Sequence, residues 1–112
     1  MKIVTETLSV AELKQIAASA FGNLIKAVVD VDRELIAVDA ELHSDLEALL
    51  LDNGSKQKSL WGINLYPDIE GNEFVEFDSL INIRPSLGNR TRGVENEEIR
   101  KKIASIVAKR IS

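Results

Sequence analysis

The chain has no cysteine, a single histidine, two prolines and an aromatic content of only 4% in 112 residues. The absence of cysteine excludes disulfides, thiolate metal sites and a cysteine nucleophile. A single histidine makes a Ser-His-Asp type of triad a poor prediction. So few aromatic rings also argue against a platform on which nucleic-acid bases stack.

Long hydrophobic runs are absent as well. No apolar stretch approaches the roughly 20 residues that a membrane-spanning helix needs. The segment Met1–Glu6 is charged and lacks the apolar core of a signal peptide. We therefore expect a cytoplasmic protein with no membrane partner. The length and the balance of 45% hydrophobic and 29% charged residues predict one folded domain over residues 1–112.

Charge is distributed unevenly along the chain. The formal net charge of -4 argues against a nucleic-acid partner. Residues 1–52 hold ten acids and four bases, a net charge of −6, whereas residues 53–112 hold eight acids and ten bases, a net charge of +2. The domain is thus polarised, with one basic region in its second half.

Three helices are indicated by capping signals and apolar spacing. Ser9–Glu12 and Ser44–Glu47 both match the capping box, in which a serine and a glutamate satisfy each other's backbone donors. The first predicts a helix that ends near Gly22, and the second a helix from about Asp45 to Asn53. Isoleucine and valine at helical spacing predict a final helix over Glu97–Ile111.

The remaining segments are predicted to be strands. They are Lys2–Thr5, a hairpin over Leu24–Asp39, Leu60–Tyr66 and a long strand over Phe74–Arg84 that ends at a proline. Because the hairpin is apolar on both faces, we expect it near the sheet centre. The predicted fold is an α+β two-layer sandwich of about five mostly antiparallel strands and three helices, in the order β-α-β-β-α-β-β-α, with the helices on one sheet face.

The segment Ile83–Gly93 is the most informative part of the chain, with three arginines and two glycines before a helix start. Arginine offers planar, forked donors for phosphate or carboxylate. Glycines let backbone amides approach an anion, and a helix N-terminus adds further donors. We interpret this segment as a site for a phosphate-bearing small molecule or, as the less favoured alternative, for a nucleic-acid backbone. The predicted anion-binding residues are Arg84, Arg90 and Arg92, with Asn82 and Asn89 as orienting groups.

A purely structural interpretation of these arginines has equal weight. In that interpretation they pair with the acid-rich first half and pin the loop to the domain. A related polar face is predicted beside the loop. If the strands Leu60–Tyr66 and Phe74–Arg84 pair, alternation places Asn64, Tyr66, Asp78, Asn82 and Arg84 on one side. That side either holds a ligand or is the solvated face of the sheet.

His43 is the only histidine, and Glu47 lies four residues further along the chain. A histidine beside carboxylates can act as a general base or a metal ligand. The candidate catalytic residues are therefore His43, Glu47 and Asp78. No paired-histidine motif is present, so we predict no metal site and no cofactor. The alternative is that His43 is a polar residue just before a helix cap.

Two segments, Trp61–Pro67 and Ile81–Glu95, together with Glu41–His43, resemble the signatures of a small prokaryotic family of uncharacterised proteins. The resemblance covers nearly the whole chain. It implies no particular activity.

Three functions follow as hypotheses. The first is an anion-binding domain that uses the arginine loop. The second is a hydrolase-type enzyme with His43 as base or metal ligand, and the third is a protein–protein interaction module. We also expect a homodimer, because a sheet with helices on one face would leave apolar residues such as Val28, Ile36 and Leu80 exposed.

Overall fold

A computed structural model describes residues 1–112. The elements are β1 (Lys2–Val4), α1 (Val10–Ser19), β2 (Ile25–Asp30), β3 (Leu35–Val38), α2 (His43–Asp52), β4 (Leu60–Leu65), β5 (Val75–Glu76) and α3 (Glu97–Arg110). Short 3-10 turns lie at Gln57–Ser59, Gly71–Phe74, Leu80–Asn82 and Pro85–Leu87. The predicted α+β class and the order of helices and strands are confirmed. None of the helices has the length and apolarity to cross a membrane.

The five strands form one antiparallel sheet in the order β1-β3-β2-β4-β5. The hairpin β2–β3 lies at its centre, as its two apolar faces predicted. Its turn lacks the usual Asn-Gly pair. The buried side chain of Asp30 stabilises the turn instead. The Asp30 carboxylate accepts hydrogen bonds from the backbone N–H groups of Asp32 and Arg33, both at 2.9 Å.

The helices cover both faces of the sheet, which corrects the expectation of helices on one face. Ala27 and Val29 of β2 pack with the residues of α1 and α3, whereas Val28 packs with Leu46 and Leu50 of α2. A central strand that is apolar on both sides must be covered on both sides. The helix α2 therefore forms a third layer.

Helices on both faces of the sheet remove the reason given for a sheet-face dimer interface. Val28 and Ile36, which we expected a partner to cover, are both 0% exposed in the single chain. Leu80 remains 68% exposed, on the 3-10 turn Leu80–Asn82 rather than on a strand. Homodimerisation itself stays a prediction.

The two predicted helix starts differ in outcome. At α1, the Ser9 hydroxyl accepts from the Glu12 backbone N–H at 3.0 Å, so that cap is confirmed. At α2, the helix begins at His43, and Leu42 at the N-cap position provides no side-chain hydrogen bond. Ser44 lies inside the helix and cannot cap it. The His43 ring binds the Ile63 carbonyl instead of a helix amide, so the N-terminus of α2 has no side-chain cap.

The long strand predicted over Phe74–Arg84 is wrong beyond its first residues. Pairing with β4 stops after Val75 and Glu76. At Ser79 the chain turns, and the Ser79 hydroxyl accepts from the Ile81 backbone N–H at 3.3 Å. Ser79 packs so closely on Gly62 that a Cβ at Gly62 would lie 2.5 Å from the Ser79 Cβ.

This close approach predicts that Gly62→Ala is destabilising. A methyl group there must displace Ser79 and Ile81, and overpacking of this kind costs about 1–3 kcal/mol. Gly93→Ala is the matched control, because its Cβ would lie 3.5 Å from the nearest atom. Its effect on the free energy of unfolding should stay within about 1 kcal/mol. Urea denaturation measures both, and equal stability of the two variants would refute the packing argument.

Candidate functional site

Along the outer edge of β4, side chains make some of the hydrogen bonds that a neighbouring strand would otherwise make. The strand β5 pairs with Asn64 and Leu65 only. Beyond it, the side-chain amide of the fully buried Asn82 binds Gly62 twice, accepting from its N–H at 2.8 Å and donating to its C=O at 2.9 Å. The same amide donates to the Arg92 carbonyl at 2.9 Å. Asn82 thus replaces a neighbouring strand and has no donor left for a ligand.

The Arg84 guanidinium binds further backbone carbonyl groups near this edge. Its Nε donates to the Ile81 carbonyl at 3.0 Å and its Nη1 to the Gln57 carbonyl at 2.6 Å, while Nη2 donates to the Leu60 carbonyl. The guanidinium also lies 4.5 Å from the centre of the Trp61 ring. Burial lowers its pKa. All three guanidinium nitrogens are engaged within the chain, so Arg84 holds the loop to the domain.

Asn89 organises the interior of the arginine loop and is 3% exposed. Its Nδ2 donates to the carbonyls of Asn82 at 2.7 Å and Gly93 at 2.8 Å, and its Oδ1 accepts from the Glu95 N–H at 2.8 Å. The Glu95 carboxylate accepts from the N–H groups of Arg90 and Thr91. The loop amides that we expected to hold an external anion are therefore occupied by a carboxylate of the chain itself.

The other two arginines of the loop are less constrained. Arg92 Nε donates to the Asp78 carboxylate at 2.7 Å, and its two terminal nitrogens have no acceptor in the chain. The Arg90 guanidinium is exposed and makes no ion pair. Neither arginine pairs with the acid-rich first half, so the loop is pinned by backbone carbonyls and by Asp78 rather than by long-range ion pairs.

His43 is the first residue of α2 and is 9% exposed. Its Nε2 lies 2.8 Å from the carbonyl oxygen of Ile63 in β4. Because a carbonyl can only accept, Nε2 carries the proton, and the neutral ring keeps an unprotonated Nδ1. Nδ1 has no partner in the chain. Burial lowers the pKa of His43 below its ordinary value of 6.5, which favours this neutral form.

Three charged residues, one in β2 and two in the loops after β5, influence the pKa of His43. Lys26 of β2 and Arg92 both lower the pKa of His43 by their positive charge, and Asp78 opposes them. Glu47 does not take part, although it lies one helical turn from His43. Its charge acts instead on Arg84, whose pKa it raises. The structure thus brings together His43, Asp78 and Arg92 from the predicted site residues, and leaves Glu47 outside.

A row of polar residues crosses three strands beside this histidine. Lys26 pairs with Asn64, and Asn64 pairs with Glu76. Asn64 Nδ2 and the Tyr66 hydroxyl both donate to the Glu76 carboxylate at 2.9 Å, and this contact raises the pKa of Tyr66. Asn64 is 8% exposed, and its Oδ1 has no donor. Two residues of the predicted polar side, Asn64 and Tyr66, therefore meet at the Glu76 carboxylate.

The backbone amides at the start of α2 complete the site. The N–H groups of His43 and Ser44 have no acceptor in the chain, because no side chain caps this helix. Lys26 was missed by sequence reasoning. The available signal was a lysine inside an otherwise apolar strand, on the side that carries Val28. No group of three or more His, Asp or Glu side chains is arranged to hold a metal ion.

The structure thus defines an α+β domain of three layers, with a polar site where β2, β4 and β5 meet the N-terminus of α2. The chain belongs to a family described as a protein of unknown function, DUF5674, whose model matches residues 2–110. No curated protein and no solved structure matches the chain. The family assignment agrees with the resemblance in the sequence and brings no activity with it.

The environment of His43 predicts a specific pH dependence. Its folded-state pKa lies below 6.5, so the unfolded chain binds the proton first as the pH falls. Stability should therefore decrease from about pH 6.5 downward, until the folded-state pKa is reached. His43→Gln should remove this slope. An NMR titration of the imidazole, with urea denaturation between about pH 7.5 and 5.5, tests it. A pKa at or above 6.5 would contradict the assignment.

Proposed function

We propose that the protein is a binding domain for a small phosphate-bearing molecule. The ligand binds at the N-terminus of α2, between Lys26 and Arg92, and not within the arginine loop. The observation that carries the proposal is a helix N-terminus without a side-chain cap, whose first residue, His43, lies within electrostatic reach of two cations, Lys26 and Arg92. Helix N-termini bind anions because their free amides and the positive end of the dipole face the ligand.

The cations at this site differ in their availability. Arg92 is held by Asp78 through Nε alone, so its two terminal nitrogens can form a fork on a phosphate. The Lys26 ammonium rests 5.3 Å from the centre of the exposed Phe21 ring. That contact is weak at the surface, and Lys26 can leave it for a ligand. Arg90, on the exposed loop, is the remaining candidate for a peripheral contact.

The acceptors at the site narrow the class of ligand. Asn64 Oδ1 is buried and lacks a donor, and an unsatisfied buried acceptor is unfavourable. The neutral His43 ring offers a second acceptor at Nδ1. A ligand that matches both kinds of group carries hydroxyl or amino donors in addition to its phosphate. A phosphorylated polyol or sugar has this chemistry.

Inorganic phosphate, compared with chloride at equal ionic strength, tests the anion site. Phosphate should raise the melting temperature, since binding to the native state alone adds about 2.7 kcal/mol at 100 times the dissociation constant. It should also raise the pKa of His43 and shift the amide resonances of His43 and Ser44. Lys26→Gln and Arg92→Gln should each weaken these responses.

Lys102→Gln is the matched control, because it removes the same charge from α3 on the other face of the sheet. It should respond to phosphate as the wild type does. If all three variants respond equally, no specific site exists. If phosphate shifts the amides of Arg90 and Thr91 while His43 is unaffected, the ligand binds in the arginine loop instead.

A second candidate function is acid–base catalysis at the same site. It is favoured by one observation: the His43 ring is fixed through Nε2 and presents a neutral, unpartnered Nδ1. A histidine in that state can accept a proton from a water that attacks a bound phosphoester. Hydrolysis of p-nitrophenyl phosphate by the wild type, abolished in His43→Gln while phosphate binding persists, is the expected result for an enzyme. Phosphate binding without any turnover would contradict the enzyme hypothesis and support the binding function.

A further inference from the structure

A groove of about 1080 Å³ lies on the other side of the sheet, between α3, the start of α1 and the segment Pro67–Phe77. None of the residues at the His43 site lines it. Its volume is at the upper end of the range of small-molecule sites, about 300–1,000 Å³. The groove is therefore large enough for a ligand and separate from the proposed phosphate site.

The spacing of residues on α3 creates the groove. Arg100, Ala104, Val107, Ala108 and Ile111 recur three or four residues apart and line one wall. Ala104 and Ala108 are exposed, and their small side chains leave the space open. At 1.5 Å of rise per residue, the wall from Arg100 to Ile111 is about 16 Å long.

The floor of the groove is apolar. Phe74, Val75 and Phe77 line it while packing against the main hydrophobic core, and each remains partly exposed. Val10 and Ile111 close the end at which α1 begins and α3 stops. Partly exposed aromatic and aliphatic side chains in a concave surface favour a ligand with an apolar body.

The other end of the groove is charged. Arg100 makes no ion pair and its guanidinium has no acceptor in the chain. The two lysines of the rim are already paired, Lys101 with Glu98 at 3.9 Å and Lys14 with Asp68 at 3.6 Å. Arg100 is thus the unpaired cation at the end of an apolar channel, in a position to bind a carboxylate by a two-pronged contact.

We propose that this groove binds an amphipathic acid, with a hydrocarbon body along Ala104 and Ala108 and an anionic head at Arg100. We place the anionic head at Arg100 because it is the lining cation without an acidic partner and lies at the end of the α3 wall opposite Ile111. The occupant is a small molecule, because an apolar floor that ends at one unpaired cation matches a ligand with a single charged head.

Octanoate, octan-1-ol and octylammonium form a matched series of probes for the full-length protein, with the same chain and three different heads. Binding is followed by calorimetry and by the amide resonances of Ala104 and Ala108. We expect saturable binding at these residues, tightest for octanoate and weakest for octylammonium. Arg100→Gln should weaken octanoate roughly tenfold, as expected when a charge-assisted contact is lost, and leave octan-1-ol within about twofold.

Two pairs of variants on α3 control for charge and bulk. Lys102→Gln removes a charge outside the groove and should not change octanoate binding, in contrast to Arg100→Gln. Ala104→Leu fills the channel and should weaken both octanoate and octan-1-ol. Ser105→Leu adds the same bulk outside the groove and should leave both unchanged.

Three results would overturn the proposal. The first is equal affinity for octanoate and octylammonium, because the acidic residues Glu70 and Glu97 also line the groove. The second is the absence of saturable binding at Ala104 and Ala108. The third is a shift of these resonances with protein concentration alone, which would identify the groove as a contact between copies of the chain.

Discussion

The paired hydrogen bonds between the Asn82 side chain and Gly62 hold the second half of this domain in place. An amide side chain has the same donor and acceptor as a peptide group, so it can satisfy a strand edge without a strand. Because Asn82 does this, β5 can stop after two residues and the chain can turn at Ser79. The absence of a side chain at Gly62 is what allows Ser79 to approach so closely.

The arginine loop depends on this closure and extends it. Arg84 binds the carbonyl of Leu60 along the same edge, and Asn89 ties the loop to the Asn82 carbonyl. The Glu95 carboxylate then accepts hydrogen bonds from the backbone N–H groups of Arg90 and Thr91. A loop rich in arginine and glycine can thus be a self-contained structural unit, in which an internal carboxylate occupies the place of an external anion. The terminal nitrogens of Arg92 and the guanidinium of Arg90 have no partner within this unit.

The two faces of the sheet have different chemistry because different helices cover them. On the α2 face, the helix begins at His43, and the polar residues Lys26, Asn64 and Glu76 lie side by side on β2, β4 and β5. On the other face, α1 and α3 pack over the main core and leave a groove where α3 carries alanine. One face therefore carries a row of polar side chains and the other a largely apolar groove, and the two proposed ligands differ in the same way.

Local signals in the sequence determined the elements. The helical spacing of isoleucine and valine located α3, the Ser9 cap located α1, and apolar runs located β2, β3 and β4, because these features depend on neighbours within a few residues. The two apolar faces of the hairpin also placed it at the sheet centre. The segments Trp61–Pro67 and Ile81–Glu95, which carry the family resemblance, contain the two partners of the Asn82–Gly62 contact.

Only the tertiary structure decided where the arginines and His43 point. The partners of Arg84, Asn82 and Asn89 are backbone groups, which every residue carries, so no pattern of side chains could reveal them. Alternation failed after Glu76 because a close contact with Gly62, distant in sequence, ends the strand. The helix α2 begins at His43, two residues before the predicted start, and the His43 ring binds a carbonyl of β4 that the local sequence cannot reveal. Contacts between distant segments thus set the site, whereas contacts between near neighbours set the elements that carry it.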